Sequence, residues 1–258
     1  SLQRDASGTW TGPIASTFGA CNGGGTPPPP PSASTIVINE LMADPLHAAG
    51  GASFGEWFEV HNTGTQPVDM QGWTITSAGS GQLPHVISTS LVVAPGGFAV
   101  LGRGADITRN GGTSIDYNYF TGASTIFLDG TDFLKLSDAT GAFVDSVRWT
   151  NSSTMARGVS PALRDASIEN ANVDGSNWGY SIVGFGDGDY GTPDAANGTL
   201  SDTPPPTLGF TGRVASDPAL PVGFEDQIFA TLMNGNVPVP TTNTWTSETP
   251  AVASIDAS

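Results

Sequence analysis

The sequence predicts an all-β protein, a sandwich or barrel of short strands. Three observations predict it. Charged residues are only 12% of the chain, while Gly (34) and Pro (20) are abundant; such a mix suits short strands joined by many turns. About nine stretches of alternating or continuous apolar residues recur at roughly 8–15-residue spacing, with turn signals between them. Every window with a 3.6-residue apolar period is broken by Gly or Pro, so no amphipathic helix is expected.

The elements follow in order. In "TIVINELMA" (35–43), strict alternation sets Ile36, Ile38, Glu40 and Met42 on one side and Val37, Asn39 and Leu41 on the other. "GEWFEVHNTG" (55–64) alternates Glu56, Phe58 and Val60 against Trp57, Glu59 and His61, then turns at Asn62–Gly64. "QPVDMQGWTITSAG" (66–79) resumes the pattern. "LPHVIS" (83–88), "LVVAPGGFAVLGR" (91–103), "IDYNYF" (115–120), "STIFLDG" (124–130), "DFLKLSD" (132–138) and "AFVDSVRWT" (142–150) complete the strand set. Neighbour alternation assigns Trp73 and Trp149 to the core. Four tryptophans, Trp57, Trp73, Trp149 and Trp178, could instead form a sugar platform, but no specific motif supports that.

Two proline tracts divide the chain, "GGGTPPPPPSAS" and "TLSDTPPPTLG". Such tracts are extended, semi-rigid spacers. They define a stub (1–25), a linker (26–34), a central block (35–198), a second linker (199–208) and a tail (209–258). The stub repeats the end of the central block. Arg-Asp-Ala-Ser occurs at 4–7 and 164–167, a Trp follows at 10 and 178, and Thr-x-x-Ala-x-Asn-Gly closes both at 17–23 and 192–198. Residues 1–25 are therefore expected to be the C-terminal remnant of a preceding copy of the central domain, and the chain a slice of a tandem array. The alternative is a Gly/Asn-rich exit loop arising twice.

Charge and cysteine content narrow the chemistry. The formal charge is −16, from 24 acidic and 8 basic residues. That field repels phosphate backbones and argues against direct binding of nucleic acid. The single cysteine, Cys21, provides neither an internal disulfide nor a Cys-x-x-Cys pair. No apolar run reaches the length of a membrane span, and no secretory leader opens the chain. The start is expected to be a processed end or a cut through a longer protein.

Candidate sites are few. His47, His61 and His85 lack metal-ligand spacing, and no GxSxG, phosphate loop or HExxH occurs. No catalytic residue is assigned. Asp174, Asp187 and Asp189 sit with other Asp and Asn residues in the Gly-rich loops "ENANVDGSNWG" and "FGDGDYGTPD". Calcium takes six to eight oxygens from such groups, so these three are the candidate calcium ligands, although neither loop has EF-hand spacing. Asp and Asn also occupy turns for backbone reasons alone. Asn-x-Ser/Thr sequons stand at Asn151 and Asn197.

The run "IVINELMADP…GEWFEVHNTGTQPVDMQGWTITSAG…LVVAPGGFAVLGR…DFLKLSDATGAFVDSVRW…GTPDAANG" resembles the bacterial lamin-tail domain. It has Asn-Glu ending the first strand, Glu-Trp-x-Glu-x-x-Asn, a Gly-Trp strand, a Pro-Gly turn before an apolar strand, and a closing Thr-Pro-x-x-x-Asn, in that order. The resemblance covers 35–198 and implies an immunoglobulin-like β-sandwich. It also implies that Glu40, with Glu56 or Glu59, binds backbone N–H groups or a turn, in place of the general acid–base role that paired carboxylates can serve. Residues 215–258 resemble the first part of a group 2 bacterial immunoglobulin-like domain, through an Asn-Gly turn near 234–238 and Trp245-Thr-Ser…Pro250-x-Val-Ala-Ser-Ile255.

Proteins combining such modules are similar to secreted multidomain proteins. The expected role is a non-catalytic extracellular or cell-surface module of a bacterial protein, with a protein, cell-surface or self-association partner and no cofactor unless calcium. The alternative is the accessory N-terminal region of a secreted non-specific DNA/RNA endonuclease. That enzyme family's Asp-Arg-Gly-His motif is absent from these residues.

Overall fold

A computed structural model describes residues 34–77, 83–120, 126–128, 132–150, 155–168 and 170–207 in full, and the backbone of 3–4, 10–11, 208–211, 229–234 and 237–239. The chain divides into two compact units, 1–34 and 35–258.

In the first unit β1 (Gln3–Arg4) pairs antiparallel with β2 (Trp10–Thr11), with Arg4 opposite Trp10. Cys21 and the repeated 17–23 motif lie outside the described residues.

The second unit runs β3 (Ile36–Met42), one helical turn α1 (Ala52–Gly55), β4 (Trp57–Asn62), β5 (Val68–Asp69), β6 (Thr74–Ser77), β7 (His85–Val86), β8 (Val92–Val93), β9 (Phe98–Gly102) and β10 (Tyr117–Asn118). It continues with β11 (Asp132–Ser137), β12 (Phe143–Trp149), β13 (Pro161–Leu163), β14 (Trp178–Ser181), β15 (Gly184–Phe185), β16 (Asp189–Tyr190), β17 (Leu200–Ser201), β18 (Pro206–Thr211), β19 (Phe229–Asn234) and β20 (Val237–Val239).

Two sheets make the sandwich. One has seven strands in the order β10-β9-β4-β3-β13-β14-β17, and the other has four, β12-β11-β6-β7. Within the seven-stranded sheet only β9 and β10 pair in parallel. Ile36, Ile38, Leu41, Phe58, Val60 and Leu101 from the larger sheet join Ile75, Leu134, Leu136, Val147 and Trp149 from the smaller one in a single core. Burying each such side chain is worth about 1.5–3 kcal/mol, which lets the fold stand without disulfides. Trp73, Trp149 and Trp178 belong to this core, so they are not an exposed sugar platform.

The structure departs from strict alternation in β3. Ile38 faces Val60, but Glu40 faces Glu59, so β3 carries one extra residue at Asn39. A β-bulge of this kind re-aims the side chains that follow it. Leu41 therefore enters the main core, while Met42 joins Trp57 and Val100 in a second cluster on the outer face. Glu40 and Glu59 share that outer face, because their neighbours Leu41, Phe58 and Val60 point inward.

Other expectations shift as well. Residues 126–128 form no strand, and the expected strand over 115–120 shrinks to β10. Part of the expected second linker is structured: β17 pairs with β14, and Pro206 opens β18. The strands β18-β19-β20 form a separate antiparallel sheet; most of the tail, 209–258, lies outside the described residues. Among the described residues no helix is long and apolar enough to cross a membrane.

Candidate functional site

The strongest polar constellation forms where residues 190–198, the exit segment that leads from β16 to the edge strand β17, cross the outer face of the seven-stranded sheet. Glu40 and Glu59 lie opposite each other on β3 and β4, and both are fully buried. A buried carboxylate must be hydrogen-bonded, and the exit segment supplies the donors. Thr192 donates its backbone N–H to Glu40 Oε1 at 2.9 Å and its hydroxyl to Oε2 at 2.8 Å. The Ser160 hydroxyl, next to β13, donates to Glu40 Oε1. Asp194 donates its N–H to Glu59 Oε2 at 2.6 Å, and Asn39 Nδ2 donates to Glu59 Oε1 at 2.7 Å.

Asn197 joins the two halves. Its Nδ2 donates to Leu163 O at 2.8 Å and to Asn39 Oδ1 at 3.0 Å, and its Oδ1 accepts from Asn39 Nδ2 at 3.1 Å. The bulge makes this possible, because it turns Asn39 onto the same face as both acids. Asn197 of the second sequon thus has its amide engaged inside the fold; Asn151 lies outside the described residues.

Local backbone chemistry sets the exit segment. Ala195 N–H closes a turn on Thr192 O at 3.0 Å. Pro193 holds the second position, and Asp194 takes φ 63° at the third. That is the pattern of a type II turn, in which a positive φ at the third position is obligatory. Asp is among the few non-glycine residues that tolerate it.

Electrostatics at the pair run against ionisation. Burial pushes the Glu40 carboxyl up to about 7, against the Ser160 and Thr192 hydrogen bonds that lower it. Burial first, then the neighbouring Glu40 and Asp194 charges, push Glu59 up to about 9, against hydrogen bonds from Asn39 and Asp194 N–H. The two carboxyls titrate as a coupled pair.

Glu56 does not join them. Its Oε2 accepts from Leu128 N at 2.9 Å. The family pattern left the choice between Glu56 and Glu59 open, and the register of β3 with β4 assigns Glu59 to the Glu40 cluster.

The expected calcium ligands are dispersed among structural tasks. Asp174 Oδ2 accepts from the backbone and hydroxyl of Thr150 at 2.9 and 2.7 Å. Asp189, almost fully buried, accepts from Leu46 N and His47 N and holds His47 Nδ1 at 2.7 Å. Asp187 donates its N–H to Gly111 O at 3.0 Å. Among the described residues no three His, Cys, Asp or Glu side chains gather as a metal-binding group, so these aspartates are not brought to one centre.

Nor do the histidines converge. His61 stacks on Phe98 with centroids 4.5 Å apart, and His85 Nε2 meets Tyr117 Oη at 2.8 Å. The His47–Asp189 pair escaped the sequence reading because its partners stand 142 positions apart. Asp145 is another such residue: its Oδ2 accepts from Ile38 N at 2.7 Å and Asn170 Nδ2 at 2.8 Å, tying the smaller sheet to the larger.

No curated protein matches the chain. Residues 29–151 match the family model of the lamin tail domain; Asn39, Glu40 and Glu59 lie within that match, Ser160, Thr192 and Asn197 lie beyond it, and the fold they share is an immunoglobulin-like β-sandwich.

Proposed function

We propose that residues 35–198 act as a non-catalytic extracellular module of a larger secreted or surface protein, serving in tethering, protein association or substrate positioning. One observation carries the reading: the paired acids best placed for chemistry, Glu40 and Glu59, are saturated by donors from their own domain. A carboxylate whose acceptor sites are filled by the backbone and by Ser160, Thr192 and Asn39 has a structural task. A general base needs its lone pair aimed at a substrate. The excess of acidic residues keeps such a module soluble and favours a partner surface that is neutral or cationic.

The test uses the whole chain. An activity screen against DNA, RNA, glycan and peptide substrates, with and without calcium and magnesium, is expected to be blank. Turnover that disappears in Glu56→Gln would refute the non-catalytic reading. Labelled chain should also be retained on bacterial cells or self-associate in sedimentation; a monomer that binds no surface contradicts the tethering role.

A further inference from the structure

We propose that Glu40 and Glu59 form a proton-dependent latch on the exit segment 190–198: the segment is held while the pair keeps one proton and loosens when both carboxyls are ionised. The geometry carries the argument. The two acids face each other across adjacent central strands, both without solvent contact. Two unscreened negative charges in that position repel each other, and the donors that hold them are the backbone amides of Thr192 and Asp194, on the exit segment itself. Strain in the pair is therefore relieved by letting that segment go, which opens the acids to water.

The hydroxyls around Glu40 can accommodate a proton. With Glu40 ionised, Ser160 and Thr192 donate to it. With Glu40 protonated, each hydroxyl has a second acceptor within reach. Ser160 Oγ lies 3.1 Å from Tyr190 O, and Thr192 Oγ1 lies 3.2 Å from Asn197 Oδ1. A hydroxyl rotates to suit its partner, so Glu40 can donate to Thr192 Oγ1 and leave no buried group unpaired. The doubly ionised pair has no comparable relief. The charged and titratable groups on the packed elements do not provide it. Asp194 is a third acid facing Glu59. His61, on the same face of β4, is stacked on Phe98. Arg164, after β13, is bound to Asp202 and to the Trp178 carbonyl. Burial raises both carboxyls, and the neighbouring Glu40 charge raises Glu59 further, which places the change in the neutral to alkaline range.

The latch bears on architecture, because this segment leads into β17, the edge strand that β14 holds at the end of the sheet. The experiment is amide hydrogen exchange on the whole chain between pH 6 and pH 9, read as protection factors at Thr192 and Asp194. Leu91, whose amide donates to the exposed Asp69 at 3.0 Å, is the control. Protection at Thr192 and Asp194 should fall about tenfold or more beyond any fall at Leu91. A carboxyl about tenfold more acidic in the loosened segment than in the held one changes the opening equilibrium by that same factor. Glu59→Gln caps the pair at one negative charge and should diminish the excess, leaving the part that burial of Glu40 alone causes. Parallel behaviour of all three amides in the wild type, or an undiminished excess in Glu59→Gln, overturns the proposal. Should that variant fail to fold, Glu40→Gln makes the same neutralisation, and the wild-type comparison with Leu91 still decides.

Discussion

Glu40 and Asp138 each accept three hydrogen bonds or more from hydroxyl and backbone N–H groups, yet their acidities move in opposite directions. Asp138 Oδ1 takes Thr140 Oγ1 at 2.6 Å, Thr140 N at 2.8 Å and Ala142 N at 2.9 Å. With solvent around it, the Thr140 side chain and Ala142 N–H hold it below the usual aspartate range. Asp106 and Asp165 repeat the arrangement with Thr108 and Ser167, and are lowered for the same reason. Glu40 has comparable donors, but burial outweighs them and the carboxyl rises. Hydrogen bonding to a carboxylate thus sets acidity only while water shares the charge; inside the sandwich the cost of desolvation wins.

The comparison breaks most sharply at Glu40. Glu40→Ala leaves the Ser160 and Thr192 hydroxyls and the Thr192 N–H without their buried acceptor, and should destabilise the domain by about 4 kcal/mol. Thermal unfolding at pH 6 should show the midpoint falling by about 10 °C.

Next in size is the pH profile of the wild type. The pair's raised folded values mean that its stability is fully present below about pH 4.5 and is lost as pH rises through about 7 and about 9. Urea unfolding should report a midpoint that falls steadily between pH 5 and pH 9. The exposed aspartates have the opposite sign. Their contribution is present above about 3.8 and is lost as pH falls through their lowered folded values.

A smaller effect is expected at Asp194. Asp194→Gly keeps the N–H that Glu59 accepts, relieves the positive φ and removes a facing acid. It should stabilise the domain by up to about 1 kcal/mol, seen as a higher urea midpoint at pH 8. The smallest belongs to Asp138→Ala, which should lower the neutral-pH midpoint slightly and flatten the acid limb of the profile, where the wild type loses that contribution.

Much of this fold was legible because the physics that sets it is local. Alternation in 55–64 separated Phe58 and Val60 from Trp57 and Glu59, as found. Trp73 and Trp149 were assigned to the core by their neighbours. The bulge at Asn39 was not legible, since one extra residue on one strand is a matter of pairing that a single strand does not reveal. Without it, Glu40 falls on the face of Ile36 and Ile38, where no donor awaits it. The strand Pro161–Leu163 also escaped, being three residues long and opening on proline. The latch itself was half visible. The Asn-Glu and Thr-Pro-x-x-x-Asn motifs could be read, but not their meeting across 152 positions.

The most direct measurement is a carboxyl carbon NMR titration of Glu40 and Glu59 in the whole chain. At least one carboxyl of the pair should keep its proton above pH 6, and both should change together as the pair ionises. If both carboxyls titrate in the ordinary range, near 4.5, the pair is not a buried, proton-holding unit and the account of the exit segment is wrong.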